Sequence, residues 1–470
     1  MHTLEQLRRG DLKGIQRLQL RCGLTEFPRE IFELADSLEI LDLSGNQLSV
    51  LPDDLPRLHK LRVIFCSDNP FTELPEVLGQ CQQLSMVGFK ANRIAQVSPK
   101  ALPPLLRWLI LTDNALTTLP TELGQCTHLQ KLMLAGNQLR TLPPELAHCK
   151  RLELLRISAN QLSELPEWLL HMPRLTWLAF AGNPFSHALE AQALVHAPTP
   201  HMAWQKLQLQ QQLGEGASGV IHQAVLRTDE GEQAVAVKLF KGAVTSDGLP
   251  DCEMAACMHA GAHPHVVSAL ARVSGHPDER QALVMPLIAP AFGNLAGPPS
   301  LESCTRDVYP AHQRFGWSTA LRMARGIASA AQHLHARGIT HGDLYAHNIL
   351  HTSEGEALLS DFGAAAFFDV NNAALAQGLE KLEVRALGCL LEELAMQCDA
   401  TPVHSLEKAG AKAEAKTSAL TPCRVTALTQ LAQLAQLAQL AQQCLHNTPA
   451  QRPSLAQVCA ELEALSNLDA

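Results

Sequence analysis

Long apolar runs are missing from this chain: none approaches the ~20 residues that a membrane-spanning helix needs. The N-terminal stretch MHTLEQLRRGDLKG lacks the apolar core of a secretory signal. Long blocks of like charge are missing too. The net charge of −9 is spread along the chain, so neither nucleic acid nor an anionic membrane surface is indicated as a partner. The 13 cysteines are an odd count, and most fall at buried positions of repeats or helices. That usage fits a reducing, cytoplasmic compartment. By length, 470 residues allow two or three domains.

What the first part of the chain does have is self-similarity. The segments LEILDLSGNQL, LRVIFCSDNPF, LSMVGFKANRI, LRWLILTDNAL, LQKLMLAGNQL, LELLRISANQL and LTWLAFAGNPF align without gaps. Their asparagines, Asn46, Asn69, Asn92, Asn114, Asn137, Asn160 and Asn183, are spaced 23, 23, 22, 23, 23 and 23 residues apart. This is the leucine-rich repeat pattern. LQLRCGLTEFP is a degenerate eighth copy with Cys22 at the asparagine position, as suits the capped end of a stack. Each copy predicts one short parallel strand with leucines facing the core. The asparagine is expected to bond backbone groups in a ladder, and the LPxxL segments to form the descending limb. Cys81, Cys126 and Cys149 recur at core positions of that limb.

The outward column of the strands reads Ile40, Val63, Met86, Trp108, Lys131, Leu154 and Trp177; the next column adds Asp42, Phe65, Gly88, Ile110, Met133, Arg156 and Ala179. A solvated sheet face should alternate apolar with polar residues. Six apolar residues of seven in the first column mark an interface. The expected occupant is a protein partner on the concave face, held by Ile40, Val63, Phe65, Met86, Trp108, Ile110, Leu154 and Trp177. The alternative is that another part of the same chain covers the stripe.

Past residue 200 the patterns change. HGDLYAHNIL, from His341 to Leu350, places Asp343 five residues before Asn348, and DFG follows at Asp361 to Gly363. Upstream, LGEGASGVI (Leu213, Gly214, Glu215, Gly216, Ala217, Ser218, Gly219, Val220 and Ile221) fits G-x-G-x-x-G, whose glycines let backbone N–H groups approach phosphate. A strand, AVAVKLF, follows these glycines rather than the helix of a dinucleotide-binding unit. It carries Lys238, and the helical stretch DCEMAACMHA supplies Glu253 as a carboxylate to position that ammonium. In this order the parts suit phosphoryl transfer from ATP. Asp343 orients the acceptor hydroxyl, Asn348 and Asp361 hold magnesium, and Lys238 reaches the phosphates.

Residues 204–465 resemble the eukaryotic-type protein kinase fold, and the whole chain resembles a leucine-rich-repeat protein kinase. The resemblance implies an α/β leucine-rich-repeat solenoid followed by an α+β bilobal kinase-like domain, divided as 1–185 array, 186–203 linker and 204–470 kinase. It implies a hinge near Met285 to Ile288, with Met285 at the gatekeeper position, Ile288 facing adenine and Ala236 packing on it. The cofactors implied are ATP and Mg2+, and the default acceptor is a protein Ser/Thr hydroxyl. LEVRALGCLLEEL, from Leu382, resembles the central helix of the helical lobe, with Glu383 at the family's aspartate position.

The chain also departs from that family. Gly342 replaces the arginine of HRD, and Tyr345 and His347 occupy the positions whose basic residues mark the acceptor class. No Ala-Pro-Glu follows DFG, so Arg452 is left without its usual carboxylate, for which Glu380 or Glu383 could substitute. HGD also occurs in small-molecule kinases of the aminoglycoside and choline type. The alternatives are therefore a small-molecule hydroxyl kinase or an ATP-binding pseudokinase scaffold. From Asp361 to Glu383 there is no Ser, Thr or Tyr, so activation by phosphorylation of that segment is not expected. Cys398 to Thr421 reads as an Ala/Lys-rich insert. LTQLAQLAQLAQLAQQ, with leucine every third residue, reads as a lengthened helix whose leucines spiral around it.

Overall fold

The computed structural model describes residues 2–196, 200–216, 218–241, 245, 247–399 and 422–467 and, of residues 196 and 422–430, the backbone alone. Ala217 and the insert from 400 to 421 lie outside the described residues. The repeats build one eight-stranded parallel sheet in sequence order, from Arg17–Gln19 to Trp177–Ala179. The central residues of neighbouring strands lie in register: Leu18, Leu41, Ile64, Val87, Leu109, Leu132, Leu155 and Leu178. All are buried, because a three-residue strand gives each repeat one inward side chain at its centre. Short 3-10 helices such as Thr121–Gln125 form the opposite limb, and Cys81, Cys126 and Cys149 are buried in it.

The asparagines form the expected ladder. Asn137 donates from Nδ2 to the carbonyls of Leu111 and Leu134, each at 2.9 Å, and accepts at Oδ1 from the Leu116 N–H at 3.0 Å. One side chain thus satisfies groups in its own repeat and the one before. At Cys22, which takes the asparagine position of the degenerate copy, the N–H donates to Asn46 Oδ1 at 3.1 Å. Asn137→Ala strands three buried backbone groups, and each unsatisfied group costs about 1–3 kcal/mol. A fall in urea midpoint of at least one such increment is expected.

The segment 186–203 is not a plain linker. It holds the helix His187–His196 and the strand His201–Ala203, which pairs in parallel with Ala271–Ser274. That pairing closes the edge of a six-stranded sheet, which runs Leu207–Glu215, Gly219–Thr228, Gly231–Phe240, Ala282–Pro286, Ala271–Ser274 and His201–Ala203. Helices Trp317–Ala336, Ala373–Gln397, Pro422–Cys444 and Leu455–Asn467 form the other lobe. On Pro422–Cys444, Gln433, Leu437, Leu440, Ala441 and Cys444 are buried while Leu431 is 38% exposed. The leucines do spiral, and only those on the inner face pack. Among the described residues no helix is long and apolar enough to cross a membrane.

The apolar stripe is not a free surface along its length, which corrects one expectation. Trp177 and Leu154, 2% and 4% exposed, belong to the same apolar cluster as Phe367, Leu387 and Leu390 of the helical lobe. Val63 and Met86 are also buried, while Ile40, Phe65, Trp108 and Ile110 are half-buried. Packing aromatic and aliphatic side chains between the two halves removes their surface from water, so the lobe itself occupies one end of the stripe. Gly378 sits at this junction: a Cβ there would lie 2.6 Å from Leu170 Cδ1 of the array. Arg452 is corrected as well. It donates to the carbonyls of His446, Lys381 and, across the junction, Pro173, each at 2.8 Å, and to no carboxylate among the described residues. Glu380 instead accepts from the Leu455 N–H, and Glu383 from the Gly342 N–H.

Candidate active site

The strands Leu207–Glu215 and Gly219–Thr228 turn back on each other over Lys238. Gly214 pairs with Ile221 and Glu215 with Val220, and Ile221 is in register with Lys238 on the next strand. Gly216 N–H donates to the Gly219 carbonyl at 2.9 Å, which closes the turn. A Cβ on Gly214 or Gly216 would meet open space, whereas one on Gly219 would lie 2.6 Å from the Leu239 carbonyl. The first two glycines therefore leave room above the sheet, and the third allows the strands to close. Leu213 is half-exposed and Ser218 buried. Ala236 pairs with Met285, and Ile288 follows, half-buried, just past that strand.

Lys238 ion-pairs with Glu253 on the helix Pro250–Ala260, and its Nζ lies 3.8 Å from Asp361 Oδ1. Burial works against the ammonium, yet Glu253 and Asp361 outweigh it and hold Lys238 above its usual range. Burial pushes Glu253 up to about 7, against the pull of Lys238. Glu253 Oε2 is buried with no hydrogen-bond partner among the described residues. Asp361 adopts a φ of +59°, a conformation uncommon outside glycine, and its Oδ1 accepts from the Gly363 N–H at 3.1 Å.

Asp343 is fixed from two sides. Asn348 Nδ2 donates to its Oδ2 and to its carbonyl, both at 2.9 Å, and Arg156 of the seventh repeat strand ion-pairs with its Oδ1. Burial would raise the Asp343 carboxyl, but the Arg156 guanidinium, with His347 and His341 behind it, holds it below the usual carboxylate range. The loop itself is anchored by Glu383. Its Oε1 accepts from the Gly342 N–H at 2.7 Å, and its Oε2 lies 2.6 Å from His335 Nε2. His347 Nδ1 lies 2.7 Å from Asp307 Oδ1.

Lys238, Glu253 and Asp361 therefore form one group, and Asp343 and Asn348 a second. Sequence reasoning missed Arg156, Asp307 and His335. Arg156 gave one signal, as the single basic residue of its column. Trp177 was singled out but for another purpose: its indole stacks on Tyr345 at 4.0 Å and donates from Nε1 to the Leu344 carbonyl at 3.1 Å.

Residues 207–395 match the family described as protein tyrosine and serine/threonine kinase, and residues 127–185 and 37–58 match leucine rich repeat families. Among similar curated proteins, the serine/threonine-protein kinase PknK of Mycobacterium tuberculosis is 31% identical over 157 residues, covering 33% of this chain and 13% of that protein. The calmodulin-binding receptor kinase CaMRLK of Arabidopsis thaliana is 26% identical over 181 residues, covering 36% and 26%. CBL-interacting protein kinase 22 of Oryza sativa is 30% identical over 172 residues, covering 34% and 36%. The chain thus spans well under two thirds of these relatives. It carries a protein kinase domain and leucine-rich repeats in one polypeptide.

Proposed function

We propose that this chain is an ATP-dependent protein kinase directed at Ser/Thr hydroxyls. The observation that carries the reading is the Lys238–Glu253 ion pair beside Asp361, in one molecule with the Asn348–Asp343 hydrogen bonds. Among the described residues no cluster of three His, Cys, Asp or Glu could hold a metal. One amide oxygen and one carboxylate, Asn348 and Asp361, suit Mg2+, which takes few protein ligands and completes its shell with phosphate oxygens and water. Bound there with ATP, Mg2+ would neutralise charge on the phosphates. Leu213 to Ile221 would cover the phosphates, Lys238 would hold them, and Ala236, Met285 and Ile288 would enclose the base. Asp343 would receive the acceptor proton.

The working division is 1–185 for the array, 186–203 for a structured connection and 204–470 for the kinase domain. The half-buried Ile40, Phe65, Trp108 and Ile110 are the part of the concave face left for a protein partner. Free cysteines throughout the described residues support a cytoplasmic setting. The segment from Asp361 to Glu383, without Ser, Thr or Tyr, supports control by contact rather than by phosphorylation. One feature favours a second reading. Trp177 stacks on Tyr345 and Arg156 ion-pairs with Asp343, so the array crowds the residues around the proposed base, which suits a small or extended acceptor better than a folded one.

The purified chain with labelled ATP and Mg2+ should label a generic protein acceptor. Lys238→Met should cut the rate about 10²-fold or more by misplacing the phosphates. Bound ATP with negligible turnover would point to the scaffold reading. Labelling of small hydroxyl compounds alone would point to the second.

A further inference from the structure

We propose that Arg156, supplied by the repeat array, is a positioning residue of the phosphoryl-transfer site: it sets the orientation of the Asp343 carboxylate toward the acceptor hydroxyl. This rests on the kinase reading above. In a free-standing array Arg156 would point from the concave face into water. Here its side chain is 3% exposed and its guanidinium serves three acceptors. It donates to Asp247 Oδ1 at 2.8 Å, to the Gly342 carbonyl at 3.0 Å and to Asp343 Oδ1. A planar guanidinium that grips the carbonyl of one residue and the carboxylate of the next fixes the rotation of that carboxylate. Asn348 holds the other oxygen from the opposite side.

The loop offers no equivalent of its own. HGDLYAHNIL contains neither lysine nor arginine, and His347 is engaged by Asp307. Gly342 shows why. Its φ is +72°, and a Cβ there would lie 2.5 Å from the Ala364 carbonyl and 2.7 Å from the Leu178 carbonyl of the array. The positive φ, the Ala364 carbonyl of the lobe and the close approach of the last repeats all favour glycine at 342, and that approach also delivers Arg156 to Asp343.

The contact is built as a core rather than as a lid. Trp177 is stacked and buried, Arg385 Nε donates to Thr176 Oγ1 at 3.1 Å, Arg452 reaches Pro173, and Lys238 and Glu253 are already paired with the array in place. A carboxylate has about four lone-pair sites, so two donors leave room for a third. In the transfer the acceptor oxygen forms its bond to the γ-phosphorus. The bond from that phosphorus to the β–γ bridging oxygen breaks, its electron pair leaves with ADP, and the acceptor proton passes to Asp343.

The test compares Arg156→Gln, Arg156→Lys and Asp247→Asn in the full chain, measuring kcat, KM for ATP, KM for a generic protein acceptor, and melting temperature. Arg156→Gln should lower kcat about 10- to 100-fold with KM for ATP within about twofold, the cost of a misplaced group. Arg156→Lys should recover part of the rate, and Asp247→Asn should stay within a few-fold of wild type. A rise in kcat for Arg156→Gln would make the array an inhibitory lid and overturn the proposal. So would an unchanged kcat, or equal losses in both Arg156 variants that track the melting temperature. An inert wild type would sink the kinase reading and this one with it; an active wild type with indifferent Arg156 variants would sink this one alone.

Discussion

Asp343→Asn is expected to lower phosphoryl transfer about 10²- to 10⁴-fold, the usual worth of a positioned general base, while ATP still binds. Asparagine keeps the size and planarity of aspartate but cannot receive the acceptor proton. It also meets a conflict. Arg156 and Asn348 both donate to the Asp343 carboxylate, so an amide there can satisfy one of them and must turn its own N–H2 to the other. A local cost of about 1–3 kcal/mol is expected from the lost bond. Lys238, Glu253 and the Leu213–Ile221 turn do not depend on Asp343, so nucleotide affinity should stay within a few-fold by calorimetry. An unchanged rate would remove Asp343 from the chemistry. A parallel loss of nucleotide binding would show that the substitution collapses the cleft instead.

The array was legible in the sequence because its determinants are local and repeated. A period of 23 residues with asparagine at one place leaves a single way to stack, and the register of Leu18 through Leu178 follows from it. The motifs of the kinase domain were legible for a similar reason, each residue type being tied to a chemical task, and the structure brings Lys238 to Glu253 and Asp361, and Asn348 to Asp343. What the sequence could not show is how the two halves meet, because no local pattern encodes a contact between residues nearly 190 positions apart. The apolar column carried half of that information. It marked Trp177 and Leu154 as interface residues with a protein partner as the expected occupant, whereas the helical lobe of the same chain covers them. Arg156 in its column, and Gly342 in place of arginine, were the two halves of one contact. Arg452 illustrates the same limit: its partners are carbonyls, one of them on the array, and carbonyls leave no trace in side-chain patterns.

Trp177→Ala should therefore cost more than any single change in the open part of the stripe. The indole is 2% exposed, stacks on Tyr345 with ring planes 10° apart, and donates to the Leu344 carbonyl. Removing it opens a cavity between the halves and strands that carbonyl, which together imply about 3–5 kcal/mol. Trp108 provides the comparison. It is half-buried under the Lys131 ammonium, 4.5 Å from its ring centroid, and its Nε1 makes no hydrogen bond among the described residues. Trp108→Ala loses less buried area and no such bond, so it should cost under about 2 kcal/mol. The two variants also differ in kind. Trp177 lies in a cluster with Phe367, Leu387 and Leu390, so its loss weakens the junction rather than either half. Wild type should unfold in urea as one transition, Trp108→Ala likewise, and Trp177→Ala in two, as array and lobes uncouple. The kinase rate should fall with the junction, since Arg156 reaches Asp343 only while the last repeats are seated. A Trp177→Ala protein that melts and turns over like Trp108→Ala would mean that the halves do not hold each other.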